Sequence, residues 1–211
     1  FGNAIHDTYE KMMTEGFDDK KSFFSLKFKE TLEKLPENAQ KDPKLVNSME
    51  NQGPLILDEV FPAMEEHFGA YEVLEAEEDL MEMIKDFNCD EKNKFKGFID
   101  LVIKTSDGKI HIIDWKSCSW GWDAKRRNSP MTTYQLTLYK AFFAQKMDID
   151  PKNIETHFAL LKRTSKKDRV EFFRVTSGPR KTENATKLLK KALYNIKNKR
   201  YIKNRLSCKN C

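Results

Sequence analysis

Apolar positions along this chain follow two periods, and the change from one to the other divides it. Residues 2–15 (GNAIHDTYEKMMTE) place Ile5, Tyr9 and Met12 or Met13 at helical spacing, with His6 beside the stripe. A second helix is predicted over 20–35, ended by Pro36, followed by the loop ENAQKDPK. Residues 43–67 suggest another helix, interrupted near Gly53-Pro54, a pair that normally breaks helices. After a glycine, 71–78 (YEVLEAEE) alternates as a strand does. Two β-rich runs, GFIDLVIK (97–104) and KIHIIDWK (109–116), flank TSDG and predict a hairpin. Helical spacing returns over 131–147 after Pro130. Strand-like runs follow at 154–163 and 169–176, separated by TSKKD. A basic helix is predicted over 180–200, with Leu188, Leu189, Ala192, Leu193 and Ile196 on one side. This order predicts a mixed α/β fold with one central sheet flanked by helices, in a single domain over 1–211. Within it, 1–70 is a helical part carrying His6, 71–176 holds the sheet and its helix, and 180–211 is a basic helix with a cysteine tail.

Composition narrows the function classes. No apolar run approaches the roughly 18 residues of a membrane span, and no secretory signal is visible at the start. The four cysteines are unevenly spaced, which points to a reducing, intracellular setting rather than a disulfide framework. The net charge of +5 is unevenly distributed. Residues 58–91 are acid-rich, whereas from Lys92 onward basic clusters recur at 125–127, 162–163, 166–167 and 197–205. A basic half suits a polyanionic partner, although any one such run also reads as a solvated face.

The hairpin can be tested for chemistry. In IIDWK, Asp114 and Lys116 share one strand face while Ile113 and Trp115 share the other. A three-residue loop, Ser106-Asp107-Gly108, pairs Thr105 with Lys109 and sets Asp100 opposite Asp114. A two-residue turn would instead split the charges across the sheet. Two facing carboxylates repel unless a divalent cation lies between them, and a lysine two residues on can orient a water or neutralise charge on phosphate. That set suits metal-assisted phosphodiester hydrolysis. The competing reading is an ordinary Asp–Lys pair on a surface hairpin.

GFID followed by IIDWK resembles the PD-(D/E)XK nuclease superfamily. Its restriction-endonuclease-like core is a central mixed sheet flanked by helices. QLTLY, with Gln135 and Tyr139 at i and i+4, resembles the QxxxY motif of the RecB-like branch. FGNAIHD resembles the GxxxH motif of that branch, and VLEAE the strand preceding its GxxD motif. Phage, AddB-type and mitochondrial genome maintenance exonucleases are of this kind. The resemblance implies that Asp100 and Asp114 hold Mg²⁺ or Mn²⁺, with the Trp115 carbonyl as a third ligand and His6 as a further one. It makes Lys116 the catalytic lysine. It matches Glu77 to the acid that ends the upstream strand, Glu78 being the alternative. Gln135 and Tyr139 would contact DNA phosphate or brace the site.

Cys208 and Cys211 form C-x2-C, half of the ligands an iron–sulfur cluster needs. Some RecB-like nucleases complete such a cluster with a cysteine before the His motif and three at the C-terminus. Cys89 and Cys118 match neither position. Trp115 is predicted to be core. Trp120 and Trp122, in a loop with Lys125, Arg126 and Arg127, are candidates for stacking bases and tracking phosphates, as is Arg163. The expected activity is a Mg- or Mn-dependent deoxyribonuclease, an exonuclease on DNA ends or single strands in replication, recombination or repair. The expected setting is the cytoplasm or an organellar matrix. The alternatives are a catalytically silent nuclease-fold module within a larger complex and a junction- or restriction-type endonuclease.

Overall fold

The computed structural model describes residues 1–36, 42–84 and 93–201. Helices α1 (Gly2–Glu15), α2 (Lys20–Glu33) and α3 (Pro43–Phe68) precede strands β1 (Tyr71–Met83), β2 (Lys94–Thr105) and β3 (Ile110–Cys118). Then come the short α4 (Ala124–Asn128), α5 (Pro130–Met147), β4 (Ile154–Lys162), β5 (Val170–Arg174) and α6 (Pro179–Lys197). The strands form one sheet in the order β1-β2-β3-β4-β5. Only β3 and β4 run parallel. A parallel pair needs a crossover, which α4 and α5 supply.

Local chemistry sets the element ends. Gly16, with φ of 62°, closes α1 in the left-handed conformation. Asp42 caps α3 by accepting the Lys44 amide at 2.9 Å, and Pro43 occupies the first turn. The predicted break in α3 does not occur, because the helix runs through both Pro54 and Pro62. Gly53 is there for packing: a Cβ on it would stand 2.1 Å from Cζ of the fully buried Phe24. The absent side chain admits the α2 ring against the α3 backbone.

Two cores sandwich the sheet. On one face, α1–α3 pack Ile5, Tyr9, Phe24, Phe28, Ile56 and Leu57 against Leu101, Ile103, Ile113 and Trp115. On the other, Leu136, Phe142 and Phe143 of α5 cover Val102, Ile112, Phe158 and Leu160. The apolar side expected of α6 is only partly used. Leu189 and Leu193 join that second core, while Leu188 and Ile196 stay exposed.

The hairpin adopts the three-residue register. Leu101 pairs with Ile113 and Lys104 with Ile110. Thr105 and Lys109 close the ladder, and Gly108 (φ of 81°) donates to the Thr105 carbonyl. Continuing the count sets Asp100 opposite Asp114. On the other side of β2, Ala76 pairs with Leu101 and Glu78 with Ile99, so Glu77 falls on the same rung. At that rung the alternation changes phase: Leu101 and Ala76 belong to the α1–α3 core, but Ile99 and Leu80 to the α5 core. Glu77 carries the change, with φ of 55° in the middle of a strand.

Candidate active site

Three neighbouring strands thus bring Glu77, Asp100 and Asp114 to one level of the sheet, and α1 lays His6 beside them. Gly2 lets α1 approach, since a Cβ there would come within 3.2 Å of Ser117 Oγ. One ligand atom from each of His6, Glu77 and Asp100 falls in a group whose members all lie within 4.8 Å of one another. His6 Nδ1 stands 3.8 Å from Asp100 Oδ1. The other oxygen, Oδ2, accepts the Trp115 amide at 2.7 Å. A strand residue's N–H and C=O leave on the same side, so the Trp115 carbonyl faces the same edge of β3. The Trp115 ring packs in the core, stacked on Tyr9 at 5.0 Å.

Asp114 is 1% exposed and has different partners. Gln135 Nε2 donates to its Oδ1 at 2.9 Å and also reaches the Tyr139 hydroxyl at 3.2 Å. The Lys116 ammonium lies 2.6 Å from Oδ2. Lys116 is thus the charge partner of this buried oxygen. Gly97 makes room for the brace, because a Cβ on it would stand 2.5 Å from Tyr139 Cε1.

Electrostatics agree with a site short of positive charge. Burial raises Asp114 to about 7, and the neighbouring charge of Asp100 adds to it. Burial likewise raises Asp100 to about 6, against the opposing pull of the Trp115 amide. Glu77 is also raised, first by burial and then by Glu10. His6 is lowered by burial, partly offset by Asp114. Clustered carboxyls with raised pKa and one imidazole fit a hard divalent cation held mainly by oxygen.

The remaining predicted residues separate. Glu78 pairs with Lys146 at 2.5 Å, which leaves Glu77 as the strand's acid at the site. Trp120 is 76% exposed, and Lys125 and Arg126 are exposed on α4. Trp122 is instead buried against Phe158 and Phe173, with Arg126 lying 4.2 Å over its ring. The expected role for Trp122 in stacking substrate bases is therefore corrected: it is a core side chain. Arg127 pairs with Glu171 at 2.5 Å and donates to the Trp122 carbonyl at 2.8 Å. Arg163 donates to Gln52 at 2.8 Å. Both arginines are committed to the fold. Cys118 is a half-buried free thiol. Cys89, Cys208 and Cys211 lie outside the described residues.

A family model described as the PD-(D/E)XK nuclease superfamily matches residues 1–211. The chain belongs to this superfamily. No curated protein matches it. Among solved structures it is similar to an Eubacterium rectale protein provisionally described as an exonuclease. That match has 12% identity and a TM-score of 0.56, and it covers 98% of this chain and 70% of the other. A protein described as SSO0001 is 14% identical with a TM-score of 0.42, covering 92% and 84%. The superfamily assignment makes the chain a nuclease fold with a nucleic acid as substrate class. Among the described residues no helix is long and apolar enough to cross a membrane.

Sequence reasoning missed two contributors. The left-handed φ of Glu77 leaves no mark in composition. The Gly97–Tyr139 contact had a visible trace, since Gly97 stands three residues before Asp100 in GFID, but the sequence gives no sign of which ring fills the space.

Proposed function

We propose that the chain is one nuclease domain of the RecB-like type, a Mg²⁺- or Mn²⁺-dependent deoxyribonuclease acting as an exonuclease on DNA ends or single strands. The observation that carries this reading is the convergence of His6, Glu77 and Asp100 beside the Asp114–Lys116 pair. His6, Glu77, Asp100, Asp114 and the Trp115 carbonyl would hold the cation. When bound it supplies Lewis acidity, generating a nucleophile from water near neutral pH and stabilising charge on the phosphate.

The chain's own residues do the rest. Lys116 orients the attacking water and offsets charge growing on the phosphoryl oxygens. Gln135 fixes Asp114, and Tyr139 fixes Gln135. The Trp115 amide keeps Asp100 turned toward His6. His6 and Glu77 also line an open cleft with Asn3, Thr31 and Lys34, through which a backbone can approach. Exposed Trp120 and Lys125 offer a stacking ring and a phosphate contact beyond the end of β3. The motif set and the description of the similar Eubacterium rectale structure support the preference for substrate ends.

The test is time-resolved digestion of end-labelled linear, gapped and closed circular DNA, with Mg²⁺, with Mn²⁺ and with EDTA. Divalent-dependent products that spare closed circles are expected. Lys116→Ala should bind DNA and retain its circular-dichroism spectrum, but cleave roughly 10²–10³-fold more slowly. Unchanged cleavage by that variant sinks the assignment. Binding without products from the wild type would make the chain a silent nuclease-fold module.

A further inference from the structure

A second cluster of ligating side chains lies at the other end of β3, on the sheet face that Ile113 and Trp115 share and opposite to Asp114 and Lys116. His111 and His157, 7% and 3% exposed, lie on adjacent parallel strands, and Glu155 precedes His157 on its own face. His111 Nδ1 and His157 Nε2 are 3.1 Å apart. Glu155 Oε2 is 4.0 Å from His157 Nε2. One ligand atom from each of the three residues falls within 4.8 Å of the others.

The surroundings prepare these atoms. The Thr105 hydroxyl donates to Asp107 Oδ1. It therefore accepts from His111 Nε2, 3.0 Å away. That fixes the His111 tautomer with its Nδ1 lone pair turned toward His157, the outer-shell arrangement that orients metal-binding imidazoles. With no metal, the single proton between the rings sits on His157 Nε2. His157 Nδ1 is then a bare acceptor, and it is buried without a hydrogen-bond partner. In this state the two buried neutral imidazoles share one proton, and His157 keeps an unsatisfied polar atom. A cation between the rings would take the place of the shared proton, with the lone pairs of His111 Nδ1 and His157 Nε2 both turned toward it and the His157 hydrogen on Nδ1. Glu155 is set for the same exchange: its Oε1 is held by Lys109 at 3.2 Å and Arg174 at 3.0 Å, while Oε2 faces the rings.

We propose that His111, His157 and Glu155 form a second metal site, for a borderline transition-metal ion such as Zn²⁺, tying β3 to β4 away from the catalytic cluster. Two imidazoles and one carboxylate are the ligand set such ions take, at roughly 2.0–2.2 Å from each donor. In a tetrahedron of that size the donors stand about 3.3–3.5 Å apart. The two nitrogens are already near this separation, and Glu155 closes by about half an ångström. Water fills the fourth position at the rim, where the exposed His67 ring lies 5.6 Å from that of His157. Lys109 and Arg174 oppose an added cation, so the site is selective for ions that bind imidazole strongly and excludes Mg²⁺.

The test uses the full chain carrying Glu77→Gln and Asp100→Asn, which disable the first cluster. Zn²⁺ is titrated against a chromophoric chelator, and the thermal midpoint is read with Zn²⁺, with Mg²⁺ and with EDTA. One equivalent of Zn²⁺ is expected, with a midpoint that Zn²⁺ raises and Mg²⁺ leaves unchanged. His157→Gln and, as the gentler change, Glu155→Gln should each weaken Zn²⁺ at least 10-fold. No binding by the parent double variant, or binding that both further substitutions leave intact, overturns the site. Neither result bears on cleavage at the first cluster.

Discussion

Gly97 lies against the ring of Tyr139, so closely that a methyl group there would stand 2.5 Å from Cε1. Tyr139 in turn holds Gln135, and Gln135 holds Asp114. A residue on β2 with no side chain therefore sets the orientation of a carboxylate on β3. Gly97→Ala should displace the ring and lower the turnover rate about 10–100-fold with little change in DNA affinity, since misplacing a reacting group by an ångström has an effect of that size. In a Tyr139→Ala background the same substitution should have almost no further effect, because the clash is gone. Single-turnover cleavage across the four-protein cycle checks this.

The acid cluster gives the fold a pH dependence of definite sign. Asp114 titrates at about 7 and Asp100 at about 6 in the fold, both raised from 3.8 chiefly by burial. A carboxyl raised on folding stabilises the native state while protonated. That contribution is complete below the unfolded pKa and is lost as pH rises through the folded one. In EDTA, the share of stability due to Asp114 should thus fall between about pH 4 and about pH 7. A cation that replaces the proton should stabilise little at the acid end of this window and increasingly above it. Thermal midpoints of the wild type and Asp114→Asn, with EDTA and with Mn²⁺, isolate the effect as a difference that widens with pH. Parallel profiles for the two proteins would contradict it.

Glu77 holds a left-handed backbone, φ of 55°, inside a strand. For a residue with a Cβ that conformation costs about 1–2 kcal/mol, and strain of this kind concentrates where function over-determines the chain. Both Glu77→Gln and Glu77→Gly remove a carboxylate from the cluster, and both should weaken divalent binding. Only glycine relieves the backbone. It should be more stable than the Gln variant by up to about 1 kcal/mol, after its own loss of chain entropy. Urea denaturation of the pair, with unchanged slopes, measures that difference.

How far the chain could be read depends on how local each determinant is. The hairpin register was legible as one of two choices, because it is decided within five residues; the structure selects the three-residue loop, and with it the opposition of Asp100 and Asp114. Gln135 and Tyr139 were legible through the resemblance of QLTLY to the QxxxY motif, whose i, i+4 spacing puts both on one helix face. Trp122 was misread because its loop folds back onto β4 and β5, a contact no local pattern encodes. The pairing of His111 with His157 was invisible for the same reason: it needs the parallel register of two strands separated by a crossover. β1 runs five residues beyond the predicted end at 78, through a stretch that reads as strand only once β2 pairs with it.

Gly53 gives the sharpest test of packing against propensity. A glycine in the interior of an exposed helix is improved by alanine, by about 1 kcal/mol. Here the added methyl would meet Phe24 at 2.1 Å. The Phe24 ring cannot retreat easily, being fully buried and stacked on Phe28 at 5.7 Å. Gly53→Ala should therefore destabilise the protein, by about 2–3 kcal/mol, as over-packing a filled core does. The sign decides the matter in one urea melt. A loss means that α3 runs through Gly53-Pro54 because α2 packs against it there, and a gain means that the two helices do not meet at that point.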